Sequence, residues 1–339
     1  MKRAEEIANT GVLVSGCYTE ELENYIEDYL DVNFCCAFAS YSTALDSCLQ
    51  TLLKDHEFNS EIIVPSYCSI DLIHSIIRSG FKPIFIDIDD DYLIDTTEIH
   101  SLLSKKTAAI IAPNIYGNLC DSIYIEAYYP HIKIIYDSTQ AFGAFYEEQN
   151  RYVGNLGDCE IFSLENNITN SIGAFITTNN SRLYDSLCLL RSSGIASNEV
   201  IEVGYNNYLP EFSAALALTN IENSQETIER YYDNYMSYKY SLGDVIRFKE
   251  KQFFSNYSHI TIEHENRKDL ITFLETYNIF CQPVFKPTHN SLLYESFCNK
   301  ALLMTNKKFK TCINLPQDIN IDYDVIKYIC GSIKEFLHV

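Results

Sequence analysis

Apolar positions along the chain switch repeatedly between two spacings. Over residues 19–30 they fall at Leu22, Tyr25, Ile26, Tyr29 and Leu30, the stripe of an amphipathic helix. Residues 34–38 form a continuous apolar run of strand length. A polar turn, Ala39-Ser40-Tyr41-Ser42-Thr43, follows it and leads into a helical pattern over 44–53. Strand-like runs over 61–64, 83–88, 108–112 and 133–136 then alternate with helical stretches. The first of these helices runs through Ile70, Ile73, Ile76 and Ile77 to a stop at Gly80, and two shorter ones cover 98–103 and 123–129. Strands alternating with helices predict an α/β fold whose sheet is mostly parallel and covered on both faces.

Residues 161–163 and 173–178 add two strands that can pair as a hairpin. A helix over 182–190 and one long helix over 210–240 follow, the latter with Ala214, Ala215, Leu218, Ile221 and Ile228 as its buried stripe. Beyond that the pattern changes to a strand at 259–262, a helix at 267–277, a strand at 280–284 and a terminal helix at 322–336. The expected division is a large α/β domain over 1–235 and a smaller α+β domain over 236–339.

A length of 339 residues supports a large core, and 47% hydrophobic content describes an ordinary globular chain. The net charge of -21 argues against a nucleic-acid or anionic-membrane surface, which clustered lysine and arginine would hold. No apolar run reaches membrane-spanning length, and residues 1–6 do not open an apolar signal core, so a cytoplasmic protein is expected. The 12 cysteines are dispersed without a C-x-x-C pair, which predicts buried thiols and no zinc site. Asp89-Asp90-Asp91 lacks the glycine and glutamate spacing of a calcium loop and is expected to be a solvated turn.

The candidate chemistry lies between Lys133 and Gly173. A short strand ends in Asp137, at the carboxyl edge of the sheet where open α/β folds bind ligands. Gln140 follows one short turn later and Ser163 ends the next strand. The turn at Ser40–Thr43 opens a helix, either as a plain Ser/Thr N-cap or as an anion site made by free N–H groups. An acid for a pyridinium nitrogen, small polar groups and a helix start for a phosphate suit pyridoxal phosphate.

These blocks resemble the DegT/StrS family of nucleotide-sugar aminotransferases, which have the pyridoxal phosphate type I fold. Val64-Pro65-Ser66-Tyr67 is similar to the family's V-P-S-[FY]-T, and Pro83 to Asp89 to its P-V-F-V-D-I-D. Asp137-Ser138-Thr139-Gln140-Ala141-Phe142-Gly143-Ala144 resembles D-A-A-Q-A-H-G-A, and Phe162-Ser163 resembles F-S-F. Gly204-Tyr205-Asn206, Glu211 to Ala215, and Phe285, Pro287 and His289 resemble further blocks in the same order. The resemblance implies pyridoxal 5'-phosphate or pyridoxamine phosphate as cofactor, with Asp137 on the pyridine nitrogen and Gln140 on the ring hydroxyl. It also implies Ser163 and Ser42 at the phosphate and Asn206 reaching the partner subunit's phosphate, hence a homodimer or a heterodimer with an active paralogue.

Departures from the pattern are concentrated at the chemistry. Counting forward from Ser163, the family's Schiff-base lysine falls on Ile168, and no lysine occurs from Ile134 to Tyr238. No histidine stands near it in sequence to suggest the dehydratase branch. Tyr41 takes the place of a phosphate-turn glycine, Ser69 that of an aromatic expected against the ring, and Tyr208 that of an arginine. Any cofactor would be held noncovalently. The expectation is a degenerate homologue tied to nucleotide-sugar and surface-polysaccharide biosynthesis, which pairs with a paralogue or binds a nucleotide sugar. The alternatives are an active sugar aminotransferase or pyridoxamine-phosphate enzyme with another base, and a fold in which Asp137, Gln140 and Ser163 merely hold a turn.

Overall fold

Alternate residues of each central strand point to opposite faces of one sheet, and this period of two builds two separate cores. The computed structural model describes residues 2–146, 150–249, 255–298 and 300–339. Seven strands make the sheet: β1 (Phe34–Phe38), β2 (Glu61–Pro65), β3 (Lys82–Ile86), β4 (Thr107–Pro113), β5 (Lys133–Asp137), β6 (Cys159–Ser163) and β7 (Ala174–Thr178). Their order in space is β1-β7-β6-β5-β4-β2-β3. Cys35 and Ala37 of β1 enter one core while Cys36 and Phe38 enter the other, and Ile63 is likewise separated from Ile62 and Val64. Because both faces are buried, these strands read as continuous apolar runs.

All the strands run parallel except β7, which is antiparallel to both β1 and β6. The connection 164–173 is too short for the crossover that parallel pairing needs, so β6 and β7 pair as the expected hairpin. Gly173 enters β7 at φ +125, and a Cβ there would lie 2.7 Å from the Phe38 carbonyl oxygen. Only glycine lets the chain turn that close to β1.

Helices α1 (Cys17–Leu30), α2 (Tyr41–Leu52), α3 (Ile70–Arg78) and α4 (Ser181–Arg191) cover the sheet. Leu22, Ile26 and Leu30 of α1 pack on the first face; Leu45 and Leu49 of α2, Ile73 and Ile76 of α3 and Leu187 of α4 pack on the second. The long helix expected over 210–240 is two helices, α5 (Glu211–Glu222) and α6 (Ser224–Leu242). They break at Asn223, whose side-chain amide donates to Thr219 O at 2.6 Å. A short amide that bonds the local backbone competes with the helical ladder, and here it ends one helix and begins another.

A third core joins Tyr235, Tyr238 and Leu242 of α6 to three antiparallel strands, β8 (Arg247–Phe248), β9 (Ile260–Glu263) and β10 (Cys312–Leu315). The strand expected over 280–284 is reduced to one bridge between Gln282 and Asn314. Pro283 follows directly and has no N–H to offer a ladder. Helix α6 runs through the position at which the smaller domain was expected to begin.

Helix α7 (Leu303–Thr311) is fastened to the β3 edge by Asp87, which accepts from Met304 N at 2.8 Å and from Thr305 N at 2.7 Å. The acidic turn after β3 is solvated at Asp90 as expected, and it is also an ion-pair centre. Asp90 pairs with Lys249 at 2.7 Å and with the buried Lys308 at 2.6 Å, and Lys308 also meets Glu263 at 2.6 Å. All twelve cysteines are unbridged, and Cys17 is the one exposed thiol. No described helix is long and apolar enough to cross a membrane, and the described residues contain no metal-holding cluster.

Candidate active site

The sheet delivers Asp137 and Ser163 to one edge because β5 and β6 are parallel neighbours that end side by side. Between the strand ends and the start of α2 lies a cavity of about 290 Å³. Tyr41, Ser69, Asp71, Asn114, Asp137, Thr139, Gln140, Ser163, Glu165, Asn166, Asn167, His259 and Phe285 are among the residues that line it. Five of the expected site residues therefore come together: Tyr41, Ser69, Asp137, Gln140 and Ser163. Ser42 and Asn206 are not among the described lining residues. The Ser42 hydroxyl donates to Asp71 Oδ1 at 3.0 Å, and Asn206 is exposed beside its bridge to Ser192.

Ser40 is the N-cap of α2, its hydroxyl accepting from Thr43 N, so the plain capping reading of this turn describes the observed contact. Tyr41 is the first helical residue, and its phenol reaches Asp137, donating to Oδ2 at 2.6 Å. The other Asp137 oxygen accepts from Thr139 N at 3.2 Å. Burial raises the Asp137 carboxyl above its ordinary value against these hydrogen bonds, and burial with the adjacent carboxylate raises the Tyr41 phenol. With its pKa raised, the Tyr41 phenol keeps its proton and donates to Asp137. Gln140 is fixed by Tyr116 N, which donates to its Oε1 at 2.8 Å.

The turn after Ser163 is drawn tight by asparagines. The Ser163 hydroxyl accepts from Glu165 N at 3.0 Å, and Asn166 accepts from both Ile168 N and Thr169 N at 2.8 and 2.9 Å. The Asn167 carbonyl accepts from the Tyr231 hydroxyl, and Asn220 donates to Thr169 O. These bonds leave Ile168 packed in the first core, 3% exposed. The position onto which the family's lysine was expected to fall therefore carries a core side chain.

Three lining groups were not legible in advance. His259 arrives from the edge of β9, with Nδ1 3.0 Å from the Ser258 hydroxyl. Asp71 and Glu165 join Asp137, so three carboxylates line the cavity without a described lysine or arginine. His289 instead sits 2.6 Å from the Ser66 hydroxyl, and burial lowers its pKa. Tyr208 lies against the Arg191 guanidinium at 5.8 Å.

A mostly parallel sheet with one antiparallel strand, and a strand-end acid facing a helix start, define an open-sheet α/β protein with its cavity at the carboxyl edge. The chain belongs to the DegT/DnrJ/EryC1/StrS aminotransferase family, whose model matches residues 1–334. It is 28% identical to GDP-perosamine synthase of Escherichia coli O157:H7, over 98% of this chain and 93% of that protein. It is 26% identical to dTDP-4-amino-4,6-dideoxy-D-glucose transaminase of Shigella dysenteriae, over 95% and 92%. Among solved structures it superposes on Helicobacter pylori PseC, an aminotransferase involved in the biosynthesis of pseudoaminic acid, with a TM-score of 0.93 at 22% identity, covering 99% and 95% of the two chains. The fold is pyridoxal phosphate fold type I, as expected.

Proposed function

We propose that this chain is a dimer-forming member of its family that has lost transaminase chemistry and serves nucleotide-sugar metabolism as a binding or pairing subunit. One observation carries the proposal: residue 168 is an isoleucine folded into the core, and no lysine is among the described residues that line the cavity. Transamination requires an amine that holds the cofactor covalently and carries a proton. Isoleucine does neither. The nucleotide-sugar assignment is supported by relatives with GDP- and dTDP-sugar names that align over nearly the whole chain.

Dimerisation with a second copy is supported by an exposed apolar strip. Val12, Leu13 and Val14 are exposed where Val14 bridges Pro210, just before α5, and the exposed Phe212 and Leu216 of α5 line a shallow pocket with Ile172. Exposed apolar groups clustered around one helix favour an interface there. Asn206 is exposed and does not line its own chain's cavity, which supports giving it a role at a partner's site.

A second reading, an enzyme with noncovalent cofactor and another base, has His259 in its favour. One assay tests both. The protein is incubated with pyridoxal phosphate, L-glutamate and a keto-sugar nucleotide, and the amino-sugar product is sought by mass spectrometry. No product is expected; turnover that His259→Gln abolishes would overturn the proposal in favour of the second reading. Light scattering tests the pairing: a dimer is expected, converted to monomer by Phe212→Asp with Leu216→Asp.

A further inference from the structure

Isoleucine at residue 168 offers no covalent tie to the cofactor, and noncovalent binding depends instead on the space beside Asp137 that Tyr41 enters. Resting on that lysine-less reading, we infer that the Tyr41 side chain is a built-in occupant of the cofactor's ring site, and that the chain does not bind pyridoxal phosphate or pyridoxamine phosphate.

Two anchors define where such a cofactor would lie: the helix start, which would face the phosphate, and Asp137, which would face the ring nitrogen. Tyr41 connects them. Its backbone is the first turn of α2 and its hydroxyl is 2.6 Å from Asp137 Oδ2, so the phenol ring lies on the line between the anchors. A pyridine ring and this phenol need the same space and the same acceptor. At the other end of Asp137, Oδ1 is engaged by Thr139 N. A glycine in place of Tyr41 would remove the ring from that line without disturbing the Ser40 cap.

The remaining lining is also wrong for a phosphate. Glu165 begins two residues after Ser163, with its own N–H donating to the Ser163 hydroxyl at 3.0 Å. The Glu165 N–H is thereby directed to Ser163 and away from a phosphate, while the Ser163 hydroxyl keeps its own proton to donate. Asp71 takes the Ser42 hydroxyl at 3.0 Å, so the helix-start serine is turned toward a carboxylate. With Asp137, these acids give the cavity three carboxylates, and no described lining cation offsets them for a dianionic group. The residues present do not fit the cofactor.

The test measures binding, independently of turnover. Full-length wild type, Tyr41→Gly and Tyr41→Phe are titrated with pyridoxal phosphate and, separately, pyridoxamine phosphate by equilibrium dialysis, alongside a lysine-containing family member. Expected is no saturable binding by wild type or Tyr41→Phe at concentrations that fill the control, and at least tenfold tighter binding by Tyr41→Gly. Tyr41→Ala substitutes if Tyr41→Gly melts early. Saturable one-to-one binding by wild type overturns the inference, even where the transfer assay stays silent and the transaminase-inactive reading stands. Binding by Tyr41→Phe equal to that of Tyr41→Gly, or no gain in Tyr41→Gly and Tyr41→Ala when both are folded, overturns it too.

Discussion

Replacing Glu160 with glutamine tests whether the floor beneath the cavity carries a charge. Glu160 lies on β6 and is fully buried. One carboxyl oxygen accepts from Gly154 N at 2.8 Å; the other accepts from the Ser138 hydroxyl, which itself accepts from the Asn114 amide at 2.9 Å. Asn114 lines the cavity, so this network ties the core to the site. Desolvation outweighs these hydrogen bonds and Arg151, and pushes the Glu160 pKa from 4.5 up to about 8. The folded state therefore binds this proton more tightly than the unfolded chain does. The stabilisation is fully present below pH 4.5 and is lost as the pH rises through about 8. Each pH unit inside the window removes about 1.4 kcal/mol, or about 2.7 kcal/mol between about pH 5.5 and 7.5. Glu160→Gln keeps an oxygen for Gly154 N and, once the Ser138 hydroxyl turns from donor to acceptor, offers it an N–H, so it mimics the protonated acid without titrating. Urea unfolding of both proteins across this range, compared as a difference, cancels every other titrating group. Wild type is expected to lose stability relative to Glu160→Gln as pH rises. A difference constant to within about 0.5 kcal/mol would show that Glu160 is ionised in the native core and would refute the reasoning.

Three further substitutions probe the frame. Ile168→Lys is expected to cost about 3 kcal/mol or more by placing an unpaired ammonium in the core, without yielding a borohydride-trappable cofactor adduct; thermal unfolding and intact mass read the two effects. Glu211 is buried and its carboxylate accepts from Gly16 N, Tyr18 N and Thr19 N at 3.0, 2.8 and 3.1 Å, closing the start of α1. Glu211→Ala strips those donors and should lower the unfolding free energy by about 2–4 kcal/mol in urea. Lys308→Met leaves Asp90 without its buried partner and Glu263, at 17% side-chain exposure, without a cation and with only the Tyr92 hydroxyl donating to it, with an expected loss of about 3 kcal/mol by the same measurement.

The parallel strands β1 to β5 were legible because each is a nearly unbroken apolar run closed by a polar or proline-containing turn, and burial on both faces sustains that pattern. The gathering of Asp137, Gln140 and Ser163 was legible too, since adjacent parallel strands must end together. What the sequence hid were contacts between elements far apart in the chain. Tyr41 meets Asp137 across β1, β7 and β6, and nothing in either local pattern announces it. His259 comes from the smaller unit, beyond any spacing rule. Asn223 and Pro283 were visible residues whose local effects, a helix break and a strand lost to a missing donor, were outweighed in the reading by the apolar periodicity around them.

Ile168 by itself looks like a point lesion in an otherwise intact enzyme, and the geometry argues otherwise. A cofactor of this class would need an amine near its aldehyde carbon, an acceptor for its ring nitrogen and a neutral or positive cradle for its phosphate. Each need fails at a different element. The amine position is turned into the core by Asn166 and held there by helices α5 and α6 through Asn220 and Tyr231. The acceptor is taken by Tyr41 from the start of α2. The cradle is acidified by Asp71 on α3 and Glu165 on the turn. If the proposed loss of chemistry holds, correcting any one leaves the other two, and no single substitution is expected to yield transaminase turnover. Asp137 hydrogen-bonded to Tyr41 at the edge of an open cavity is what that proposal leaves in place.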